Sequence, residues 1–156
     1  MIECRGIYRE SRDEVRSLFS SEDQGRSVTF MDNIKIARLF FTSLEVADLE
    51  TARSLCADGF RGTQNGGVPM DADTLMGFTD RVHKVVPDFR YENTVCQATE
   101  NGFIEEHDVC GTLPDESTFK LTLCVVGEVE DGKIAALREY VDTGAAAGLM
   151  KALRPD

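Results

Sequence analysis

The chain is poor in the residues that build metal and redox sites. It has only two histidines, His83 and His107, neither in an H-E-x-x-H setting, so no metal site is expected. The five cysteines, Cys4, Cys56, Cys96, Cys110 and Cys124, are odd in number and never form a C-x-x-C pair. That spacing argues against zinc knuckles and thioredoxin-like pairs. Cys96, Cys110 and Cys124 fall in strand-like patterns, where a free thiol serves as a small buried hydrophobe. Basic residues are scarce as well: 17 Lys plus Arg stand against 28 Asp plus Glu, a net charge of -11. Such a surface repels phosphate backbones and anionic lipid, so neither nucleic acid nor a membrane surface is an expected partner. Apolar runs such as residues 121–126 are too short to span a bilayer. The opening residues are too charged for a secretory signal, and Glu3, Glu10, Asp13 and Glu14 argue against a mitochondrial presequence. The expectation is a soluble, cytoplasmic protein.

What is present is enough chain for one domain: 156 residues need neither disulfide nor metal to bury a core. Residues 1–30 read as a polar extension with one short amphipathic helix, in which Ser11 and Glu14 have capping-box spacing ahead of Val15, Leu18 and Phe19. Residues 31–156 read as the folded domain. Asp32 or Asn33 can cap a first helix carrying Ile36, Phe40 and Leu44, and Asp48 a second carrying Leu49, Ala52, Leu55 and Cys56. Asp58-Gly59 breaks that helix, and Phe60 to Gln64 makes a short strand. Asp71 or Asp73 begins a third helix with Leu75, Phe78, Thr79, Val82 and Val86 inward, which Pro87 ends. Four strands follow, Phe89–Thr99, Phe103–Thr112, Phe119–Val129 and Lys133–Asp142, with hairpin signals at Asn101-Gly102 and Asp131-Gly132. Thr143 can cap a last helix. The order ααβαββββα predicts an α+β domain, a curved antiparallel sheet wrapped around helices with a cone-shaped pocket between them.

Alternation places Ile104, Glu106, Asp108, Cys110 and Thr112 on one face of their strand and Phe103, Glu105, His107, Val109 and Gly111 on the other. Both faces carry ionisable groups, so periodicity alone does not choose between them. The next strand is clearer, with Phe119, Leu121, Leu123 and Val125 forming an apolar set. A type I turn with Gly132 as a bulge would set Leu123 opposite Glu139, whereas a two-residue loop would set Cys124 there. The bulge is preferred because it aligns Leu121 with Val141 and Val125 with Leu137, which embeds Glu139 in an apolar face. A carboxyl group in such a place resists ionisation and can exchange protons near neutrality, and neighbouring carboxylates split their titrations into acid and base. A surface network with Arg or Lys would explain Glu106, Asp108 and Glu139 without any chemistry.

The stretches E-E-H-D-V-C-G-T-L-P at 105–114 and D-G-K-I-A-A-L-R-E-Y-V-D at 131–142 resemble the nuclear transport factor 2-like superfamily. The SnoaL-like branch, near polyketide cyclases, limonene epoxide hydrolase and ketosteroid isomerase, is the most similar. In the epoxide hydrolases an R-x-D pattern sits on the middle strand, an Asp precedes the Tyr of the last strand, and a Tyr and an Asn lie on the first. The matching positions here are Glu106, Asp108, Glu139, Arg61 and Thr63. Arg61 could return across the pocket the positive charge absent at Glu106. Ketosteroid isomerase keeps its base on the first strand, at the position of Thr63. SnoaL-like cyclases use an Asp and a His with no cofactor, but adjacent residues such as His107 and Asp108 point to opposite faces. His107 is therefore expected outside, where a homodimer interface would take it.

The resemblance thus implies a cofactor-independent acid/base enzyme of cyclase, isomerase or hydrolase type. Asp108 would be the general base and Glu139 its proton partner, with Glu106 completing the catalytic set by tuning charge together with Arg61. Arg61, Thr63, Phe78, Val82, Cys110, Leu121, Leu123 and Val141 would hold a small, largely apolar ligand. The alternative is a non-catalytic member that binds a ligand or a protein through the same cone.

Overall fold

The helical spacing of Ile36, Phe40 and Leu44 is realised in α1, Phe30–Glu45, in a computed structural model that describes residues 30–154. The polar extension before Phe30, with the helix expected near Ser11, lies outside the described residues. Asp32 stands in the first turn of α1, not at its cap, where a negative charge still complements the helix dipole. Asp48 does cap α2, Leu49–Ser54, by accepting from the Thr51 N–H at 3.2 Å. That helix stops earlier than its apolar pattern suggests, and β1 begins at once, spanning Cys56–Gln64. Cys56 pairs with the fully buried Ile134, which draws the chain into the sheet. Asp58-Gly59 lies in the irregular stretch of β1 between its paired positions Cys56 and Arg61, so it interrupts a strand and not a helix. Asp71 caps α3, Ala72–Val85, through the Thr74 N–H at 2.8 Å. Four strands follow, β2 (Arg90–Thr99), β3 (Gly102–Thr112), β4 (Thr118–Glu130) and β5 (Lys133–Val141), and α4 is Ala147–Ala152. Ala146, with no side-chain cap, starts α4 in place of Thr143. No helix among the described residues is long and apolar enough to cross a membrane.

The element order is the expected ααβαββββα, and the strands form one open sheet in the order β1-β5-β4-β3-β2. Pairing is antiparallel from β5 across to β2, while β1 joins the β5 edge in parallel, so the sheet is mixed. Asp131 (φ 49) and Gly132 (φ 74) both take left-handed backbone, the geometry of a two-residue hairpin turn. Pairing then passes from Val129↔Ile134 to Glu128↔Ala136, which makes Ala135 the extra residue of a bulge. Neither expected register survives: Val125, not Leu123 or Cys124, faces Glu139. Parity is nevertheless kept, and Glu139 remains on the apolar side. In the β2/β3 hairpin the turn is Glu100-Asn101, one residue earlier than expected, and Gly102 is already in β3.

The helices cover one side of the sheet and leave a divided core. One cluster joins α1, α2 and β1 to Phe103, Val125 and Leu137, and the other joins Val86, Val109, Leu121 and Leu123 to Leu149 of α4. A cavity lined by members of both separates them. Close approach at the hairpin end holds the first cluster together. A Cβ on Gly127 would lie 2.2 Å from Cζ of the fully buried Phe103. Gly127→Ala should therefore lower stability by about 2 kcal/mol through overpacking. Gly59→Ala, where a Cβ meets nothing within 4 Å among the described residues, should change it by no more than about 0.5 kcal/mol. Urea unfolding midpoints of the two variants decide this, and equal losses would show that the Phe103 contact is not limiting.

Candidate active site

The β3/β4 pairing decides what enters the cavity. Val109↔Leu121, His107↔Leu123 and Glu105↔Val125 are directly opposed, so the apolar set of β4 shares its face with His107 and Glu105. That inner face, with Leu137, Glu139 and Val141 of β5, forms one wall of a cavity of about 360 Å³. Phe40, Phe41 and Leu44 of α1 and Leu75, Phe78, Thr79 and Val82 of α3 form the opposite side, with Thr143 and residues of α4 at one end.

Most of this lining is apolar, and its polar groups include Gln64, Tyr91, His107 and Glu139. Glu139 accepts a 2.6 Å hydrogen bond from Gln64 Nε2 at its Oε1. Burial raises its pKa above the ordinary range, with Gln64 and His107 pulling more weakly the other way. Asn65 (φ 49) clamps the end of β5, donating from Nδ2 to the Val141 carbonyl at 2.9 Å and accepting from the Val141 N–H at 3.0 Å. His107 Nδ1 lies 3.2 Å from Glu105 Oε1, in a pair whose side chains are 2% and 1% exposed. Burial also raises the Glu105 pKa, against opposing effects led by His107. The Tyr91 ring sits 4.3 Å from the His107 ring, and Phe41 meets the latter edge-on at 5.1 Å. Burial raises the Tyr91 phenol, and Glu139 and Glu105 raise it further.

A bulge in β2 brings Tyr91 inward. Pairing shifts between Glu92↔Asp108 and Val95↔Glu106, so Asn93 and Thr94 together oppose His107, and Asn93 takes φ 55. Without the extra residue Tyr91 and Cys96 could not both face inward, because their positions differ in parity. Cys96 lies near Glu105, and burial pushes its thiol up to about 12.

Several expected site residues are elsewhere. Glu139, Thr63, Phe78, Val82, Leu121, Leu123 and Val141 do line the cavity. Asp108, Glu106 and Cys110 alternate to the opposite face of β3, and the assignment of Asp108 as a cavity base is corrected. Asp108 accepts from Asn93 Nδ2 and Thr122 Oγ1, each at 2.6 Å, and from Lys120 Nζ at 2.8 Å. Those donors, Asn93 foremost, hold its carboxyl down at about 2. Arg61 is exposed and donates to the Phe60 carbonyl at 3.0 Å. It cannot compensate for Glu106, since β5 and β4 separate their strands by about 14 Å. His107, expected outside, is a cavity residue.

Sequence reasoning missed His107, Glu105, Gln64 and Tyr91. Only the first two had an available signal. The loop 113–117 has an odd number of residues, so it sets odd-numbered positions of β3 against the odd-numbered apolar positions of β4. Among the described residues no group of three or more His, Cys, Asp or Glu is placed to hold a metal ion.

The sequence matches the SnoaL-like domain family over residues 37–137, and the chain belongs to that family. A comparison with curated proteins gives no match. Solved structures share the fold. An LEH-like epoxide hydrolase from M. tuberculosis is 20% identical with a TM-score of 0.65, over 80% of this chain and 93% of that one. An NTF2-like protein from Burkholderia xenovorans is 18% identical with a TM-score of 0.65, over 82% of this chain and all of that one (100%). PrhC from Penicillium brasilianum is 12% identical with a TM-score of 0.68, over 80% and 89%. The chain therefore has the nuclear transport factor 2-like fold in its SnoaL-like form.

These carboxyl groups act on stability in opposite pH windows. Glu139 and Glu105 hold protons more tightly when folded, so their contribution is complete below the ordinary value of 4.5 and is lost as pH rises through their raised values. Asp108 binds its proton less tightly when folded, so its contribution is complete above 3.8 and is lost as pH falls through about 2. Asp108→Asn should cost about 2 kcal/mol near neutral pH, and the cost should shrink with acidification. Glu139→Gln should flatten the decline above the ordinary glutamate range. Denaturant titrations across pH measure both, and a pH-independent cost for Asp108→Asn would contradict the assignment.

Proposed function

We propose that the chain is a SnoaL-like acid/base enzyme that moves protons on a small, largely apolar molecule held in the cavity. The observation that carries this reading is the grouping of Glu139, His107 and Tyr91 on one patch of an otherwise apolar wall. Apolar surroundings favour the neutral carboxylic acid of Glu139. Gln64 engages Oε1, so a proton on the other oxygen is free to bond a substrate oxygen. Glu105 engages Nδ1 of His107, and the tautomer that donates from Nδ1 leaves Nε2 to accept a proton.

An apolar ketone gives the simplest balanced cycle. Glu139 donates a hydrogen bond to the carbonyl oxygen while Nε2 removes a proton from the adjacent carbon, forming an enol-like species. The resulting imidazolium returns that proton to another carbon, and the Glu139 proton stays with, or returns to, its carboxyl group. With a β,γ-unsaturated ketone, whose conjugated enol offers a second carbon for that proton, the outcome is isomerisation; when the enol carbon instead attacks a second carbonyl in the same molecule, the imidazolium proton goes to the new alkoxide oxygen and the outcome is cyclisation. Proton transfer alone supplies this chemistry. Epoxide opening through an R-x-D pattern is not supported, because Glu106 and Asp108 lie across the sheet from the cavity.

Deuterium incorporation from D2O into a panel of apolar ketones and 1,3-dicarbonyls, followed by NMR, tests the reading. The wild-type chain should exchange protons adjacent to the carbonyl of at least one compound. Glu139→Gln and His107→Gln should each slow that exchange about 100-fold while remaining folded. Asp108→Asn should leave it unchanged. Saturable binding without exchange across the panel would instead identify a non-catalytic ligand-binding protein.

A further inference from the structure

Glu105 has one carboxyl oxygen on His107, and its other oxygen, Oε2, is buried with no hydrogen-bond partner among the described residues. The residue is 1% exposed, and leaving a carboxyl oxygen so deep without a donor is unfavourable. The Cys96 thiol, a weak donor, lies close enough to act on the Glu105 carboxyl group, yet Oε2 itself is left without a partner in hydrogen-bond geometry among the described residues. Beside Glu105, α1 and β2 border a second, partly open hollow of about 30 Å³. One water needs only about 15 Å³ of such space, together with two to four polar partners. Arg38, Thr42 and Glu45 of α1 and Thr94 of β2 line this hollow, and Arg38 is exposed at its outer side. Phe41 and Tyr91 line both hollows and stand between them. Thr94 reaches this place because it belongs to the β2 bulge opposite His107.

We propose that the small hollow is a built hydration site, whose water bonds Glu105 Oε2 and links the Glu105–His107 pair to solvent from behind the substrate cavity. The inference rests on the reading of His107 as the base, and it assigns Thr42 and Thr94 as positioning residues for the water. The proton step is a simple exchange. Oε2 takes a proton from the water, bulk solvent replaces that proton, and the carboxyl group returns it by the same route, while Oε1 stays on Nδ1. Glu105 can thereby change charge while a ligand fills the main cavity. The ionisable groups facing Glu105 are Arg38 and Glu45 from α1, Tyr91 and Cys96 from β2, and His107 on its own strand.

A crystal structure of the full chain at about 1.5 Å should show a water oxygen within about 3 Å of Glu105 Oε2 and bonded to Thr42 or Thr94. A dry hollow overturns the inference. A second measurement is the titration of the Glu105 carboxyl carbon by 13C NMR. Thr94→Val removes the hydroxyl at nearly constant volume and should raise the Glu105 midpoint by about one unit, because the charged form loses its water. Thr94→Ser should restore it, which a merely structural role of Thr94 would not predict. An unmoved midpoint in folded Thr94→Val also overturns the proposal. Neither measurement uses a substrate. A hydrated hollow behind an inert cavity would sink the enzyme reading alone, and a dry one behind an active cavity would sink this inference alone.

Discussion

Leu123 lies directly across from His107, and the chemistry of both faces of the sheet depends on that pairing. A one-residue slip of β3 against β4 would bring Glu106 and Asp108 inward and expel Glu105 and His107. The apolar residues resist it. Burying Leu121, Leu123 and Val125 contributes about 2 kcal/mol each, and the helices can cover them only in the observed orientation. Burying Glu105 and His107 costs about 1–3 kcal/mol for each group left unsatisfied, a cost their mutual contact reduces. The apolar side therefore prevails, and the ionisable pair is carried inward by its neighbours across the strands.

The same balance separates what could be read in the sequence from what could not. Element order, the Asp48 and Asp71 caps and the inward face of β4 follow from local patterns, and the structure bears them out. Glu139 was legible because apolar residues alternate with it on β5 and its parity survived a misjudged register. His107 and Asp108 were not legible from β3 alone, since each face there carries acids. Only the odd length of the loop to β4 distinguishes them. Tyr91 and Gln64 depend on longer-range geometry: a bulge in β2 and the parallel docking of β1 against β5. Neither leaves a mark in hydrophobic periodicity. The family resemblance transferred the fold, while its residue-by-residue correspondence led to Asp108, whose neighbours Asn93, Thr122 and Lys120 make it an anchor on the outer face.

The cavity is best understood as the part of the core that the helices do not fill. Two apolar clusters are each well buried, and the gap between them retains the apolar walls of both. Such walls lend little solvation to a charge, so Glu139 and Glu105 are pushed toward neutrality while Asp108, with three donors, remains ionised. Surroundings thus divide the carboxyl groups of one sheet into two that resist ionisation and one that ionises readily.

The bulge at Asn93 and Thr94 binds the two faces into one count. Asn93 turns outward to Asp108 while Tyr91 and Cys96 turn inward, because two residues stand where one would otherwise suffice. Loss of either residue from the chain would rotate the strand on one side of it by half a turn, and Tyr91 and Cys96 could no longer share a face. Beyond the Asn65 clamp, the exposed loop 66–69 carries no comparable phase, since the chain there does not alternate between two faces. Changes of length across descendants of this chain should therefore collect in that loop and spare the middle of β2.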